Sequence, residues 1–102
     1  MLILLVIVLN TLQIHAWTLA VFVDQNYQGS AKTFSSSNNE CKDLSSALSR
    51  QVSSFQWDRA WLEDCCVHFK ALDREIGFSC DDWKKPNMNS DNQMTSFCVT
   101  NC

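Results

Sequence analysis

The sequence predicts a small all-β sandwich that is stapled by disulfides, and three observations support this prediction. Apolar residues occur in short runs that are rich in β-branched and aromatic side chains and show no helical stripe. Polar turn residues separate these runs at short intervals. Six cysteines stand in a chain of only 102 residues, which is typical of a small exported domain with a covalent framework.

Residues 1–16, MLILLVIVLNTLQIHA, have the pattern of a secretory signal peptide. The apolar run from Leu2 to Leu9 is followed by a more polar stretch that ends in the small residue Ala16. A spanning helix needs about 20 apolar residues, so this run is too short to be one. We therefore expect a secreted, extracellular protein whose domain is residues 17–102 and which has no membrane partner once the signal is removed. The alternatives are an uncleaved anchor and an N-terminal strand.

Short strands are predicted along the rest of the chain. The segment LAVFVDQ at residues 19–25 is the first, NYQGS is a turn in which Gly29 takes a positive φ, and AKTFS is the second. The polar run SSNNECK is predicted to be a loop. Later strands are expected at VSSFQW, residues 52–57, and at CCVHF, GFSC and SFCVT. The total is six to eight short strands.

One short helical turn is expected at DLSSALSRQ, residues 43–51. Asp43 or Ser45 can cap it, and Leu44 and Leu48 fall on one face of a helix. A helix of this length is not stable by itself, so the turn depends on packing against the strands.

The six cysteines are expected to be disulfide-bonded, because a domain of this size buries only about 60% of its unfolded surface and needs a staple. Sequence allows more than a dozen full pairings. Neighbouring cysteines on a strand point to opposite faces, so the adjacent pair should bond different partners. Structural zinc is disfavoured, since there is no C-x-x-C pair and His68 is the only histidine within residues 17–102. The cysteines are Cys41, Cys65, Cys66, Cys80, Cys98 and Cys102.

The net charge of −3 is spread along the chain, and Lys84–Lys85 is the only adjacent basic pair. Nucleic acid and anionic membranes are therefore not expected as partners. Catalysis is not expected either, because no set of nucleophile, base and orienting group stands out. Cys66 and His68 fit a disulfide beside a surface histidine better than a thiol nucleophile.

The adjacent acids Glu63–Asp64 and Asp81–Asp82 fit solvated loops better than acid–base catalysis. Aromatic residues are abundant and are predicted to form the core, because each one removes a large apolar area from water. A sugar or lipid pocket is the alternative use of these side chains. They are Phe55, Trp57, Trp61, Trp83 and Phe97.

The segments FVDQNYQG at 22–29, DL at 43–44 and VSSF at 52–55 follow one another in a recognisable order. This order resembles the Greek-key motif of the βγ-crystallin family, in which an aromatic pair and a glycine shape the first hairpin and a serine anchors a later strand over it. The first motif covers about residues 19–57. Since the family domain has two motifs, the resemblance implies a small two-sheet Greek-key β-sandwich.

The second motif is expected at about residues 60–102. Phe69 and Gly77 stand roughly where an aromatic and the hairpin glycine belong, although the interval is longer and the second aromatic is missing. The closing element, SDNQMTSFCV, is clear.

Calcium-binding members of the family carry the pattern N/D-N/D-x-x-S/T-S in each motif, and DNQMTS at residues 91–96 fits it at every fixed position. Ca²⁺ takes roughly six to eight oxygen ligands from carboxylates, carbonyls, hydroxyls and water. The resemblance implies a site shared between the motifs, in which Asp91 and Asn92 combine with Ser53 and a main-chain carbonyl near Asp24. A metal-free polar turn is the alternative.

The first motif keeps only part of this pattern, because SRQVSS at residues 49–54 has Ser49 and Arg50 where the acid or amide belongs. The resemblance implies a weaker second site in which Thr95 meets these two residues. A guanidinium repels Ca²⁺, so one calcium site is expected.

The sequence therefore indicates a secreted, calcium-binding structural or extracellular-interaction protein without enzymatic activity. The alternative is a metal-free effector on the same fold, either an antimicrobial or killer toxin or a protease inhibitor. Such a toxin would more often be strongly basic, and this chain is acidic.

Overall fold

The computed structural model describes residues 15–60, 63–88 and 93–102, and strands occupy much of these three ranges. The predicted all-β class is confirmed. The signal-peptide prediction falls mainly on residues 1–14, which lie outside the described part of the chain. Among the residues that are described, there is no helix able to cross a membrane. The strands are β1 (Trp17–Asp24), β2 (Gln28–Ser36), β3 (Glu40–Asp43), β4 (Ser54–Arg59), β5 (Cys66–Ala71), β6 (Arg74–Ser79), β7 (Trp83–Lys85) and β8 (Ser96–Thr100).

The strands of the described residues form two antiparallel sheets of four, with the orders β2-β1-β4-β7 and β3-β8-β5-β6. Within this part of the chain, each half contributes four consecutive strands. In each half, three strands lie in one sheet. The remaining strand, β3 in the first half and β7 in the second, pairs at the edge of the sheet formed by the other half. The two halves are therefore interlocked by an exchange of edge strands.

The core lies between the two sheets, where every second residue of the central strands is buried. Phe55 of β4 and Phe69 of β5 meet across the core with ring centroids 4.5 Å apart. The predicted core role is confirmed for Phe55, Trp57 and Phe97, which are at most 1% exposed, whereas Trp83 is half-buried. Trp61 lies outside the described residues.

The polar run SSNNECK was predicted to be a loop, and this is wrong at its end, because β3 begins at Glu40. β7 was not predicted at all. Both are short edge strands, and neither contains a fully buried residue. Their extended conformation is stabilised by pairing with β8 and β4 of the other half of the chain, which no local pattern can indicate.

The predicted helix at residues 43–51 is also wrong. Asp43 ends β3, and the following residues form turns, in which the amide of Ser49 donates to the carbonyl of Ser45 at 2.8 Å. Arg50 has a φ of 62°, which interrupts a right-handed helix. Leu44 and Leu48 are nevertheless buried, as expected.

Gly29 has the predicted positive φ, 79°, but it lies within β2, after the turn at residues 25–27. A Cβ at this position would overlap the Asp24 carboxylate and lie 2.9 Å from Val23 Cγ2. Any other residue would therefore have to adopt this positive φ and also displace the Asp24 and Val23 side chains.

All six cysteines are paired, as predicted, in the bonds Cys41–Cys98, Cys65–Cys102 and Cys66–Cys80. The adjacent cysteines, Cys65 just before β5 and Cys66 at its first residue, bond different partners, as predicted. Cys41 and Cys98 are also cross-strand neighbours of β3 and β8, so this disulfide ties the exchanged strand to the other half.

Candidate functional site

Ser54 joins the start of β4 to the β1–β2 hairpin. Its side chain is fully buried, its hydroxyl donates to the carbonyl of Asp24 at 2.6 Å, and it accepts from the amide of Tyr27 at 3.0 Å. Asn26 and Tyr27 both have positive φ in this turn, which is uncommon for residues other than glycine. The Ser54 hydroxyl therefore satisfies two main-chain groups of a strained turn.

Thr95 has the corresponding role in the second half. The amides of Ser53 and Thr95 donate to equivalent carbonyls, those of Phe22 and Lys70, each at 2.8 Å. The Thr95 hydroxyl accepts from the amide of Leu72 at 2.8 Å and donates to the Lys70 carbonyl at 3.3 Å. Thr95 corresponds to Ser53, so the hydroxyl that bonds the hairpin stands one position earlier in the second half than Ser54 does in the first. The turn between β5 and β6 is also one residue shorter than the turn between β1 and β2.

Ser53, predicted to ligate calcium in the first site, is half-buried beside the anchored hairpin. Its amide donates to Phe22, and its carbonyl accepts from the amide of Met88 at 2.9 Å. The carbonyl of Asp24 already accepts from the Ser54 hydroxyl. The predicted partners Asp91 and Asn92 lie outside the described residues, so only the Ser53–Asp24 half of this site is described.

The segment after β7 lies against this half-site. The amide of Asn26 donates to the carbonyl of Pro86 at 2.8 Å, next to the Met88–Ser53 bond. A matching bond joins the Leu44 amide to the Thr95 carbonyl at 2.9 Å. After each exchanged strand, the chain therefore contacts the start of the last strand of the other half.

The three residues predicted for the second site lie close together. Ser49, Arg50 and Thr95 line one shallow cavity of about 640 Å³, which also has Asp43 and Asp73 on its wall. The amide of Arg50 donates to the carbonyl of Met94 at 2.9 Å, which fixes the turn against the second half. Sequence reasoning missed the two carboxylates, because they approach only through the exchange of β3 and through the β5–β6 hairpin.

The chemistry of this cavity is mixed. It offers hydroxyl and carboxylate oxygens, but it also contains the Arg50 guanidinium, and the Thr95 hydroxyl already has two main-chain partners. Within residues 15–60, 63–88 and 93–102, no group of three or more His, Cys, Asp or Glu side chains is arranged to hold a metal ion.

A polar network on the outer face of the second sheet was also missed. His68 contacts the Glu75 carboxylate through Nδ1 and the Thr100 hydroxyl through Nε2, the latter at 3.0 Å. Its ring packs on Phe78, which is 53% exposed, with centroids 4.7 Å apart. A hydroxyl, an imidazole and a carboxylate bonded in this order can activate a nucleophile. Here the three groups lie on an open strand surface, where they link β5, β6 and β8.

The neighbouring Cys66 is held in the disulfide with Cys80 and offers no thiol beside His68. The loop acids Asp81 and Asp82 instead contact Arg59: its side chain lies 3.3 Å from the Asp81 carboxylate, and its amide donates to Asp82 at 2.9 Å. These acids therefore secure the end of β4.

Comparison of the chain with protein-family models, with curated protein sequences and with solved structures found no match.

Proposed function

We propose that the chain is a secreted βγ-crystallin-like protein that binds one Ca²⁺ ion and has a structural or interaction role outside the cell. The ion would be bound by the Asp91 and Asn92 side chains, the Ser53 hydroxyl and a main-chain carbonyl near Asp24. These are the hard oxygen donors that Ca²⁺ prefers. Catalysis is not part of the proposal.

The strand exchange supports this reading of the fold. Two halves of four strands, each giving its third strand to the other sheet, are what two interlocked Greek-key motifs require. The Ser54 hydroxyl over the first hairpin also agrees with the anchoring serine that the resemblance implies.

The single observation that carries the calcium proposal is the bond from the Met88 amide to the Ser53 carbonyl. Met88 is three residues before Asp91, and three residues of extended chain reach roughly 10 Å at most. The proposal requires Asp91 and Asn92 to lie close to Ser53. The Met88–Ser53 bond supports this, because it holds the chain next to Ser53 only three residues before Asp91.

The cavity of the predicted second calcium site is proposed to remain without calcium. Arg50 lines it, and a guanidinium beside Ca²⁺ is repelled even when water screens the charges. The Thr95 hydroxyl also accepts a hydrogen bond from the Leu72 amide, and this amide would lose its partner if the hydroxyl oxygen ligated a metal. The two halves therefore differ in function although they share a fold.

The test is thermal unfolding of the protein with Ca²⁺ and with chelator, for wild type, Asp91→Ala and the control Asp58→Ala. Ligand at about 100 times its Kd stabilises the folded state by about 2.7 kcal/mol, which for a domain of this size raises Tm by about 10 °C or more. We expect this rise in wild type and in Asp58→Ala, whose exposed carboxylate lies on β4, and its loss in Asp91→Ala.

A Tm that is the same with Ca²⁺ and with chelator would exclude the calcium proposal. That outcome would favour the metal-free effector, which is tested by growth inhibition of microbes and by inhibition of proteases with the pure protein.

A further inference from the structure

A separate cavity, of about 370 Å³, opens between β6 and β7, each of which is one edge strand of its sheet. Its floor is apolar: Phe55 and Phe69 of the core reach it, and the partly buried Ile76 and Trp83 form its sides. This volume is within the range of sites for small molecules, roughly 300–1,000 Å³. The cavity therefore leads from the solvent to the aromatic core.

Trp83 gives the cavity a rigid wall. Its ring stands edge-on to Phe55, with centroids 4.9 Å apart, and tilted against Phe69 at 5.8 Å. β6 passes close to the indole at Gly77, where a Cβ would lie 3.2 Å from Trp83 Cη2. Because the ring is held by both sheets and by this close approach, the cavity is formed before a ligand arrives.

The rim carries cationic side chains, although the whole chain is acidic. Arg74 donates to the Gln93 side chain at 3.2 Å, and the Lys85 ammonium lies 5.9 Å from the centre of the Trp83 ring. Glu75, the rim carboxylate, is engaged with His68. Among the ion pairs formed by the described residues, none involves Arg74 or Lys85.

We propose that this cavity binds a small amphiphilic carboxylate, a molecule with an apolar tail and one anionic head. The tail would lie against Trp83 and Ile76, where burial removes apolar surface from water. The head would meet Arg74, whose planar guanidinium matches a carboxylate with two parallel hydrogen bonds, and Lys85. The proposal is independent of calcium, so it is tested in the presence of chelator.

The test is a titration with decanoate, followed by calorimetry and by ¹H–¹⁵N correlation spectra. We expect saturable binding at one site, with the largest shifts at the Trp83 indole N–H and the Gly77 amide. Loss of a hydrogen bond to a charged group weakens binding by about tenfold, and we expect this loss for Arg74→Gln and for Lys85→Gln.

Lys84→Gln is the matched control. It removes the same charge from the same strand, but Lys84 is exposed and points to the opposite face, so it should bind decanoate as wild type does. Decanol, which has the tail without the anionic head, should bind at least about tenfold more weakly.

Three results would overturn the proposal: no saturable binding of decanoate, equal binding of decanol and decanoate, or equal weakening by Lys84→Gln and Lys85→Gln. Ile76→Trp, which would fill the cavity, gives an independent check. If this variant melts cooperatively and still binds decanoate like wild type, the ligand is elsewhere.

Discussion

The adjacent hydroxyls of Ser53 and Ser54 have different surroundings. Ser54 is fully buried and bonds two main-chain groups of the first hairpin, whereas Ser53 is half-buried and forms its described bonds through its main chain. The segment VSSF indicated that a serine anchors the hairpin, but the choice between neighbours depends on where β4 begins. Because β4 begins at Ser54 and its core-facing residues are Phe55 and Trp57, the Ser54 side chain lies on the other face, under the β1–β2 hairpin.

This contrast gives a prediction for two single variants. Ser54→Ala leaves the Asp24 carbonyl and the Tyr27 amide without their partner, so it should lower the free energy of unfolding by about 1–3 kcal/mol, with or without Ca²⁺. Ser53→Ala should leave stability in chelator nearly unchanged but remove the stabilisation by Ca²⁺. Denaturant unfolding of both variants, in chelator and in Ca²⁺, measures the four values.

The opposite pattern would contradict these assignments. If Ser53→Ala keeps the full response to Ca²⁺, its hydroxyl is not a ligand. If Ser54→Ala costs nothing, the hairpin does not depend on its anchor.

At the level of elements, the sequence predicted best where a strand has a buried face. LAVFVDQ and SFCVT correspond closely to β1 and β8, because alternate side chains of these strands enter the core. β3 and β7 were missed, since their pairing with the other half decides their conformation. The predicted helix did not form for a related reason: Asp43, one of its two possible caps, belongs to β3, and Arg50 has a positive φ.

The turn that replaced the helix gives a second prediction, which rests on the proposed calcium function. The variant Ser49→Asp/Arg50→Asn restores the acid and amide of the calcium pattern beside Thr95. Asparagine tolerates the positive φ of residue 50 better than most residues, so the turn should keep its shape. We expect calorimetry to show a second, weaker Ca²⁺ equivalent, because the Thr95 hydroxyl is partly committed to the hairpin.

Arg50→Ala is the control for this gain. It removes the cation without supplying an oxygen, and it should bind one Ca²⁺ as wild type does. Equal stoichiometry in the double variant and in wild type would mean that the cavity cannot be completed by these two positions.

At the level of the whole molecule, the sequence indicated that all six cysteines are paired but could not rank the pairings. The exchange of β3 decides one of them, because it sets Cys41 opposite Cys98 in the ladder. This bond spans 57 residues, and closing a loop of that length in the unfolded chain corresponds to about 4 kcal/mol.

The Cys41→Ala/Cys98→Ala variant tests this value. Cys41 is exposed and Cys98 half-buried, so the substitution opens no fully buried cavity and its effect should come mainly from the unfolded chain. We expect the free energy of unfolding to fall by about 4 kcal/mol in denaturant titrations. A loss below about 1 kcal/mol would mean that the exchanged strand is held by its pairing and packing alone.

The strand exchange also predicts that neither half of the molecule folds alone. Separated, the first half would keep β3 without β8, and the second would keep β7 without β4, so each sheet would lose an edge strand and one wall of the shared core.

A protease site inserted after Ala60 allows the two halves to be cut apart. While Cys41–Cys98 is intact, the nicked protein should stay in one piece and melt in one cooperative transition. After reduction and separation, we expect each fragment to show the circular dichroism of an unfolded chain, and remixing under oxidising conditions to restore the fold. A cooperative transition in either isolated fragment would mean that one half is stable without the strand it receives.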